Sequence, residues 1–229
     1  MKYDYLLKKC DLCRRHCGVN RLNGELGICT ANDNLIVARA ELHLWEEPPI
    51  SCENGSGTVF FSHCNLKCVF CQNHEISQEY KGAEITINRL SDIFLELQNK
   101  GANNINLVTP THYVPQIIEA IEIAKYKGLK LPILYNTNGY DTLETIKLLD
   151  GYIDVYLPDF KYFDDKYSIK YSKAKDYSSE IIPILKEMVR QTGKPSFDDK
   201  GRILKGVIIR HLMLPGLLFD SKKVIDKIY

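Results

Sequence analysis

From residue 57 onward, two kinds of apolar pattern take turns along the chain. Short runs rich in branched and aromatic residues, bounded by glycine, proline or asparagine, predict buried strands. They are "GTVFFS" (57–62), "NINLVTP" (104–110), "LPILYNTNG" (131–139), "YIDVYLPDF" (152–160) and "KGVIIRHLMLPG" (205–216). Between them apolar residues recur every three or four positions, the spacing of amphipathic helices. These segments are "TINRLSDIFLELQNKG" (86–101), "YVPQIIEAIEIAKYKG" (113–128), "DTLETIKLLDG" (141–151), "YSSEIIPILKEMVRQTG" (177–193) and "DSKKVIDKIY" (220–229). Asp141 is the expected cap of the third helix. About five βα units in a row predict an α/β fold with a parallel sheet or barrel, whose functional groups gather in the loops after the strands' C-terminal ends.

The first third has a different texture. All eight cysteines lie there, at 10, 13, 17, 29, 52, 64, 68 and 71. A Cys-rich metal-binding segment over 1–50 and a core barrel over 51–229 are the expected units. No stretch reaches the 18 or so apolar residues of a membrane span. The opening "MKYDYLLKKCDLC" lacks the apolar core of a secretory signal. These absences predict a cytoplasmic protein, where cysteines serve as metal ligands or reactive thiols rather than disulfides. Thirty basic against 29 acidic residues, a net charge of +1, give no sign of a nucleic-acid or membrane partner.

Chemistry concentrates in "FSHCNLKCVFCQN" (61–73), where Cys64, Cys68 and Cys71 stand at C-x3-C-x2-C immediately after a strand. Soft thiolates at that spacing suit iron–sulfur clusters or zinc. Closed sites of either kind take four protein ligands, and three is one short. Either a neighbour such as His63 or His74 completes a zinc loop, or one position is left open, or the spacing is coincidence.

At this point the chain strongly resembles the radical S-adenosylmethionine (SAM) superfamily, whose signature is C-x3-C-x-aromatic-C; Phe70 fills the aromatic position. The motifs "LHLWEEPPIS", "GSGTVFFSHCNLKCVFCQNHEIS", "NLVTPTHY", "YNTNGY", "DVYLPDFKY" and "IIRHLMLPG" look more closely like the pyruvate formate-lyase activating enzyme-like group. The resemblance implies a partial (β/α)6-type barrel. It also implies that Cys64, Cys68 and Cys71 hold a [4Fe-4S] cluster whose fourth iron is open to SAM. A reductant such as flavodoxin or ferredoxin supplies the electron, and a 5′-deoxyadenosyl radical abstracts a substrate hydrogen. A glycyl-radical enzyme such as pyruvate formate-lyase is the protein substrate this group suggests. Six βα units are common in the superfamily, whereas this sequence ends at Tyr229 as the fifth unit's helix begins. A shortened barrel with an exposed strand edge is therefore expected.

The remaining strand ends supply candidates for holding SAM. "NLVTPTHY" stands where the superfamily carries Gly-Gly-Glu, and its polar groups are Thr109, Thr111 and His112. Asn136, Thr137 and Asn138 end the third strand, and Asp159 and Lys161 end the fourth. Arg210 is expected inside an apolar strand, where a carboxylate partner would offset its charge. Glycines in "NGSGT" (54–58) would allow close backbone approach to a cofactor or simply form a turn. Cys52 reads as a small packed residue.

In the head, Cys10, Cys13, Cys17 and Cys29 form C-x2-C-x3-C-x11-C. Four thiolates can close a site, either structural zinc or an auxiliary cluster. A small nucleic-acid-binding zinc module is the other reading of this segment, and its scarcity of aromatics for stacking bases argues against it. The functional rival to a radical enzyme is a non-catalytic iron–sulfur or zinc protein, an electron carrier or binding module, which would need a fourth protein ligand for the triad.

Overall fold

The computed structural model describes residues 2–229. Its strands are β1 (Leu35–His43), β2 (Ser56–Phe61), β3 (Ala83–Ile85), β4 (Ile105–Val108), β5 (Ile133–Thr137), β6 (Val155–Pro158), β7 (Ser196–Phe197) and β8 (Ile203–Val207). Its helices are α1 (Tyr5–Lys8), α2 (Pro48–Ser51), α3 (His74–Ser77), α4 (Ile87–Asn99), α5 (Val114–Tyr126), α6 (Leu143–Leu148), α7 (Asp165–Ser172), α8 (Tyr177–Thr192) and α9 (Leu218–Ile228).

All eight strands make one sheet in the order β3-β1-β2-β4-β5-β6-β8-β7. The five central strands, β2, β4, β5, β6 and β8, run parallel, and they are the five strands that the apolar runs predict. β1, β3 and β7 are antiparallel additions. Residues 35–43, read from sequence as part of the head, thus form a nine-residue strand paired with β2 across the expected division at residue 50. The edge expected to be exposed is short on both sides: β3 has three residues and β7 two, which limits strand-to-strand pairing with other chains.

Side-chain alternation sorts the sheet into two faces. Val59, Phe61, Ile105, Leu107, Ile133, Tyr135 and Tyr156 face the helices and pack with Leu90, Phe94, Ile117, Ile121, Ile184 and Met188. Fully burying each such apolar side chain contributes about 1.5–3 kcal/mol. On the concave face Leu134, Val155, Leu157 and Ile203 pack around Ile50. α2 brings Ile50 there, held by Asn104 Nδ2 to the Ile50 carbonyl (2.9 Å) and Asn103 Nδ2 to the Ser51 carbonyl (2.5 Å). Gly57 is required for close packing: a Cβ would stand 2.6 Å from the Asn104 carbonyl oxygen. The "NGSGT" stretch thus serves contact between strand and loop.

The head has its own small core of Leu7, Cys10 and Leu12. It is tied to the sheet by Arg14, which donates to the carbonyls of Gly139 (2.7 Å), Asp176 (2.7 Å) and Tyr177 (3.0 Å). Among the described residues, no helix is long and apolar enough to cross a membrane.

Candidate active site

The loop after β2 leaves the sheet through His63, and the loop after β4 through Thr109; both adopt left-handed backbone (φ 71° and 57°). Non-glycine residues in that conformation mark constrained turns, and these two lie at the C-terminal mouth of the sheet. Cys64 Sγ accepts from the Leu66 backbone N–H (3.4 Å) and Asn138 Nδ2 (3.5 Å). Cys68 Sγ lies 3.0 Å from Ser172 Oγ, and Cys71 Sγ 3.3 Å from Ser77 Oγ. Burial pushes the Cys64 thiol up to about 12, against the Leu66 N–H bond, and the nearby Cys68 and Cys71 raise it further. Burial also raises Cys68, against the positive charge of Lys161.

Among the described residues, no three or more His, Cys, Asp or Glu side chains converge as ligands of a single ion. A four-iron cluster asks for a different arrangement, one thiolate for each of several irons. Three half-buried, neighbouring thiols beside a lysine fit such a group, because iron replaces their protons. The expected alternative ligands are committed elsewhere. His63 stacks on Tyr80 (4.5 Å between centroids), with Nδ1 near Thr30 Oγ1 and the Cys29 carbonyl. His74 pairs with Glu79. The Cys52 thiol donates to the Pro48 carbonyl (3.2 Å).

From the thiols a chain of charges runs across the mouth. Lys161 Nζ donates to Asp159 Oδ2 (2.5 Å), and Arg210 Nε donates to Asp159 Oδ1 (3.0 Å). Arg210 Nη2 donates to Asn136 Oδ1 (2.5 Å), and Nη1 lies 3.8 Å from both Glu46 Oε2 and Glu47 Oε1. Burial favours a neutral Asp159, but Lys161 and Arg210 outweigh it and hold the carboxyl below its ordinary range. For Lys161, burial lowers the ammonium's pKa, yet Asp159 and Cys68 leave it raised. Arg210 does not sit inside a strand as the sequence leads one to expect. β8 ends at Val207, where the preceding Gly206 bends the backbone (φ 136°), and Arg210 meets Asp159 in an isolated parallel bridge. Its carboxylate partners belong to the protein.

The other expected SAM contacts fall in different places. Thr111 Oγ1 and Thr137 Oγ1 both donate to Asp141 (2.8 and 2.5 Å), joined by Tyr135 OH (2.8 Å). Asp141 is fully buried and fastens the ends of β4 and β5 together. It does not cap α6; Thr142 does, accepting from the Thr145 N–H (3.3 Å). Thr109 donates its backbone N–H to the Asn136 carbonyl. His112 is buried with Nε2 2.7 Å from the Ser62 carbonyl, and burial lowers its pKa to about 3, so it is a neutral imidazole.

His112 lines the cavity of the head, together with Cys10, Cys13, Cys17, Cys29 and Arg21. The four cysteines, spread over twenty residues of sequence, therefore share one enclosed space. Burial pushes Cys13 up to about 12, opposed by the Arg15 N–H, with Cys29 and Cys10 adding repulsion. All eight cysteines are free thiols. Between the two thiol sets stands Asn65, which approaches Cys13, accepts from Asn138 Nδ2 at Oδ1 (2.7 Å) and accepts from Arg15 at its carbonyl (2.8 Å).

The sequence profile of the radical SAM superfamily matches residues 58–226, from β2 into α9. The chain belongs to the radical SAM superfamily. The uncharacterized protein MJ0674 of Methanocaldococcus jannaschii is 32% identical over 230 residues, covering 96% of this chain and 62% of that protein. The chain thus spans less than two thirds of this relative. Among solved structures, Streptococcus suis SuiB bound to precursor peptide SuiA superposes with a TM-score of 0.51 at 17% identity, over 72% of this chain and 34% of SuiB. At that identity the likeness is one of fold.

Two features of this candidate site are not evident from the sequence. The pattern around Asp141 predicts a helix cap, and the acidic pair Glu46–Glu47 stands out only as part of a motif. The available signal for the pair was two adjacent acids before "PP" in an otherwise apolar stretch.

Proposed function

We propose that this protein is a radical SAM enzyme in which Cys64, Cys68 and Cys71 hold a [4Fe-4S] cluster with one iron left open. When bound and reduced, that cluster supplies the electron that cleaves SAM to methionine and a 5′-deoxyadenosyl radical. The observation that carries the reading is the set of three half-buried thiols in one mouth loop beside Lys161, while His63 and His74 are engaged elsewhere. Asn136, Asp159 and Arg210 present fixed polar groups across the mouth for SAM's amino and carboxylate groups. Thr111 and Thr137 act as positioning residues through Asp141, and His112 through the wall of the head cavity. Thr109 sets the turn that leaves β4.

The head, in this reading, holds a closed four-thiolate zinc or auxiliary cluster. Its apolar core is too small to be stable alone. A protein or peptide is the substrate class we favour. The resemblance to glycyl-radical activating enzymes points to it, with flavodoxin or ferredoxin as reductant, and SuiB binds a precursor peptide. Eight free thiols suit a reducing cytoplasm.

Anaerobic reconstitution tests the proposal. Adding SAM should change the EPR spectrum of the reduced cluster, and 5′-deoxyadenosine should be released. An intact cluster that does neither would leave the protein an electron carrier or binding module.

A further inference from the structure

β1 and β2 are joined across the concave face by residues 44–55, and this crossing carries Glu46 and Glu47. The segment is stiff. Pro48 and Pro49 fix the first turn of α2. The Glu46 N–H donates to Ser51 Oγ (2.9 Å), and Ser51 Oγ in turn donates to the His43 carbonyl (3.2 Å). Both carboxyl groups are thereby aimed at one place beneath Arg210. The Glu46 side chain is only 11% exposed, whereas Glu47 and Arg210, at 28% and 29%, open the site to solvent.

Three acids, Glu46, Glu47 and Asp159, meet two bases, Arg210 and Lys161. Arg210 does not complete the pair: its hydrogen bonds go to Asp159 and Asn136, and 3.8 Å to each glutamate is too long for one. Glu47 Oε2 is buried without a partner. The decisive neighbour is Asn106 on β4. It is fully buried, it reaches towards the Glu46 carboxylate and favours its ionised form, and neither its Nδ2 nor its Oδ1 makes a hydrogen bond of good geometry. A buried amide whose oxygen is left without a donor, beside a carboxylate with a free oxygen, is an arrangement that a bound group would complete. The uncompensated charge there is negative when both glutamates are ionised, the form that an incoming cation favours at Glu46 against its burial.

We propose that Glu46 and Glu47, with the Asn106 amide, form a receiving site for a cationic group of the substrate, an alkylammonium or guanidinium such as a lysine or arginine side chain presents. The site's substrate role rests on the radical SAM reading above, though its ability to bind cations does not. A cation enters from the open side of Glu47, donates to the free oxygens of the pair, and accepts no charge from Arg210, which stays on Asp159. The Asn106 carbonyl oxygen takes a further N–H. An acidic or neutral substrate gains none of this.

The test is a titration of the full chain with N-acetyl-lysine methylamide, N-acetyl-arginine methylamide and the uncharged isostere N-acetyl-norleucine methylamide. The single tryptophan, Trp45, adjoins Glu46 and is 87% exposed, so its fluorescence reports binding beside calorimetry. The cationic compounds should bind saturably, and at least about tenfold more tightly than norleucine. Glu47→Gln should erase the preference. Equal binding of all three compounds, absence of binding, or a preference that survives Glu47→Gln in a folded variant would each overturn the site. The titration needs neither cluster nor reductant. Normal 5′-deoxyadenosine release without cation binding therefore rejects the site alone. Cation binding without SAM cleavage keeps the site and removes the reaction.

Discussion

The four-cysteine cavity of the head and the three-cysteine loop at the mouth both touch Asn65, yet their surroundings are opposite. The cavity is enclosed by Leu12, Val19, Gly27 and a neutral His112, with Arg15 and Arg21 as its charges. The loop faces a run of alternating charge, Lys161, Asp159 and Arg210, that leads across the mouth. Of the head's four thiols Cys10 and Cys29 are buried, and all four share one cavity. The loop's three thiols instead face fixed polar groups, which under the proposed reading gives an approaching group partners. Thiol count alone separates the two sites in sequence; the neighbours explain why the separation matters.

The comparison breaks most sharply at the loop. Cys68→Ala should lower 5′-deoxyadenosine formation by roughly two orders of magnitude or more, since only two thiolates remain for the cluster. Iron and zinc analysis should show the metal proposed for the head retained. If SAM is cleaved normally, the ligand assignment fails. In the head, Cys29→Ala should release that metal and lower the melting temperature by about 5–10 °C, because binding energy there is folding energy. An unchanged melt with unchanged metal content would mean the cavity is a plain apolar pocket.

Asp159→Asn sharpens the contrast without touching a thiol. It leaves Lys161 and Arg210 without their shared carboxylate and should cost about 2–3 kcal/mol in urea unfolding. No loss would mean the charges at the mouth are independent. The smallest effect belongs to Glu46. Burial, opposed by Arg210 and reinforced by Glu47, raises its carboxyl from 4.5 to about 7. Its raised proton affinity stabilises the fold fully below pH 4.5, and the contribution is lost as pH rises towards 7. Glu46→Gln should flatten that slope in a series of melts at different pH.

The parallel strands and their helices were legible because one apolar period belongs to each: α8 spans Tyr177–Thr192 where the pattern predicts 177–193, and α4 begins after the Thr86 cap. β1 was not legible. "LIVARAELH" interleaves Arg39, Glu41 and His43 with small residues, and a register shift between Val37 and Arg39 breaks its alternation. At "GYDT" both Asp141 and Thr142 qualify as caps. Only the three hydroxyls waiting inside, from Thr111, Tyr135 and Thr137, decide that the aspartate turns inward. The candidate site shows the same limit. Cysteine spacing is local and can be read, whereas the partners of Arg210 come from three distant segments. Those contacts exist only once the sheet has brought residues 46, 136 and 159 together.

Arg14 and Arg15 carry a consequence of their own. From the head they hold carbonyls at residues 65, 139, 173, 176 and 177, all in segments that border the mouth. A ligand that tightens the head therefore also tightens those borders. By thermodynamic reciprocity, whatever orders the borders strengthens the head's hold on its own ligand. Two sites of different composition are thus linked, as a keystone is to the arch it locks, by two arginines and the peptide oxygens they grip.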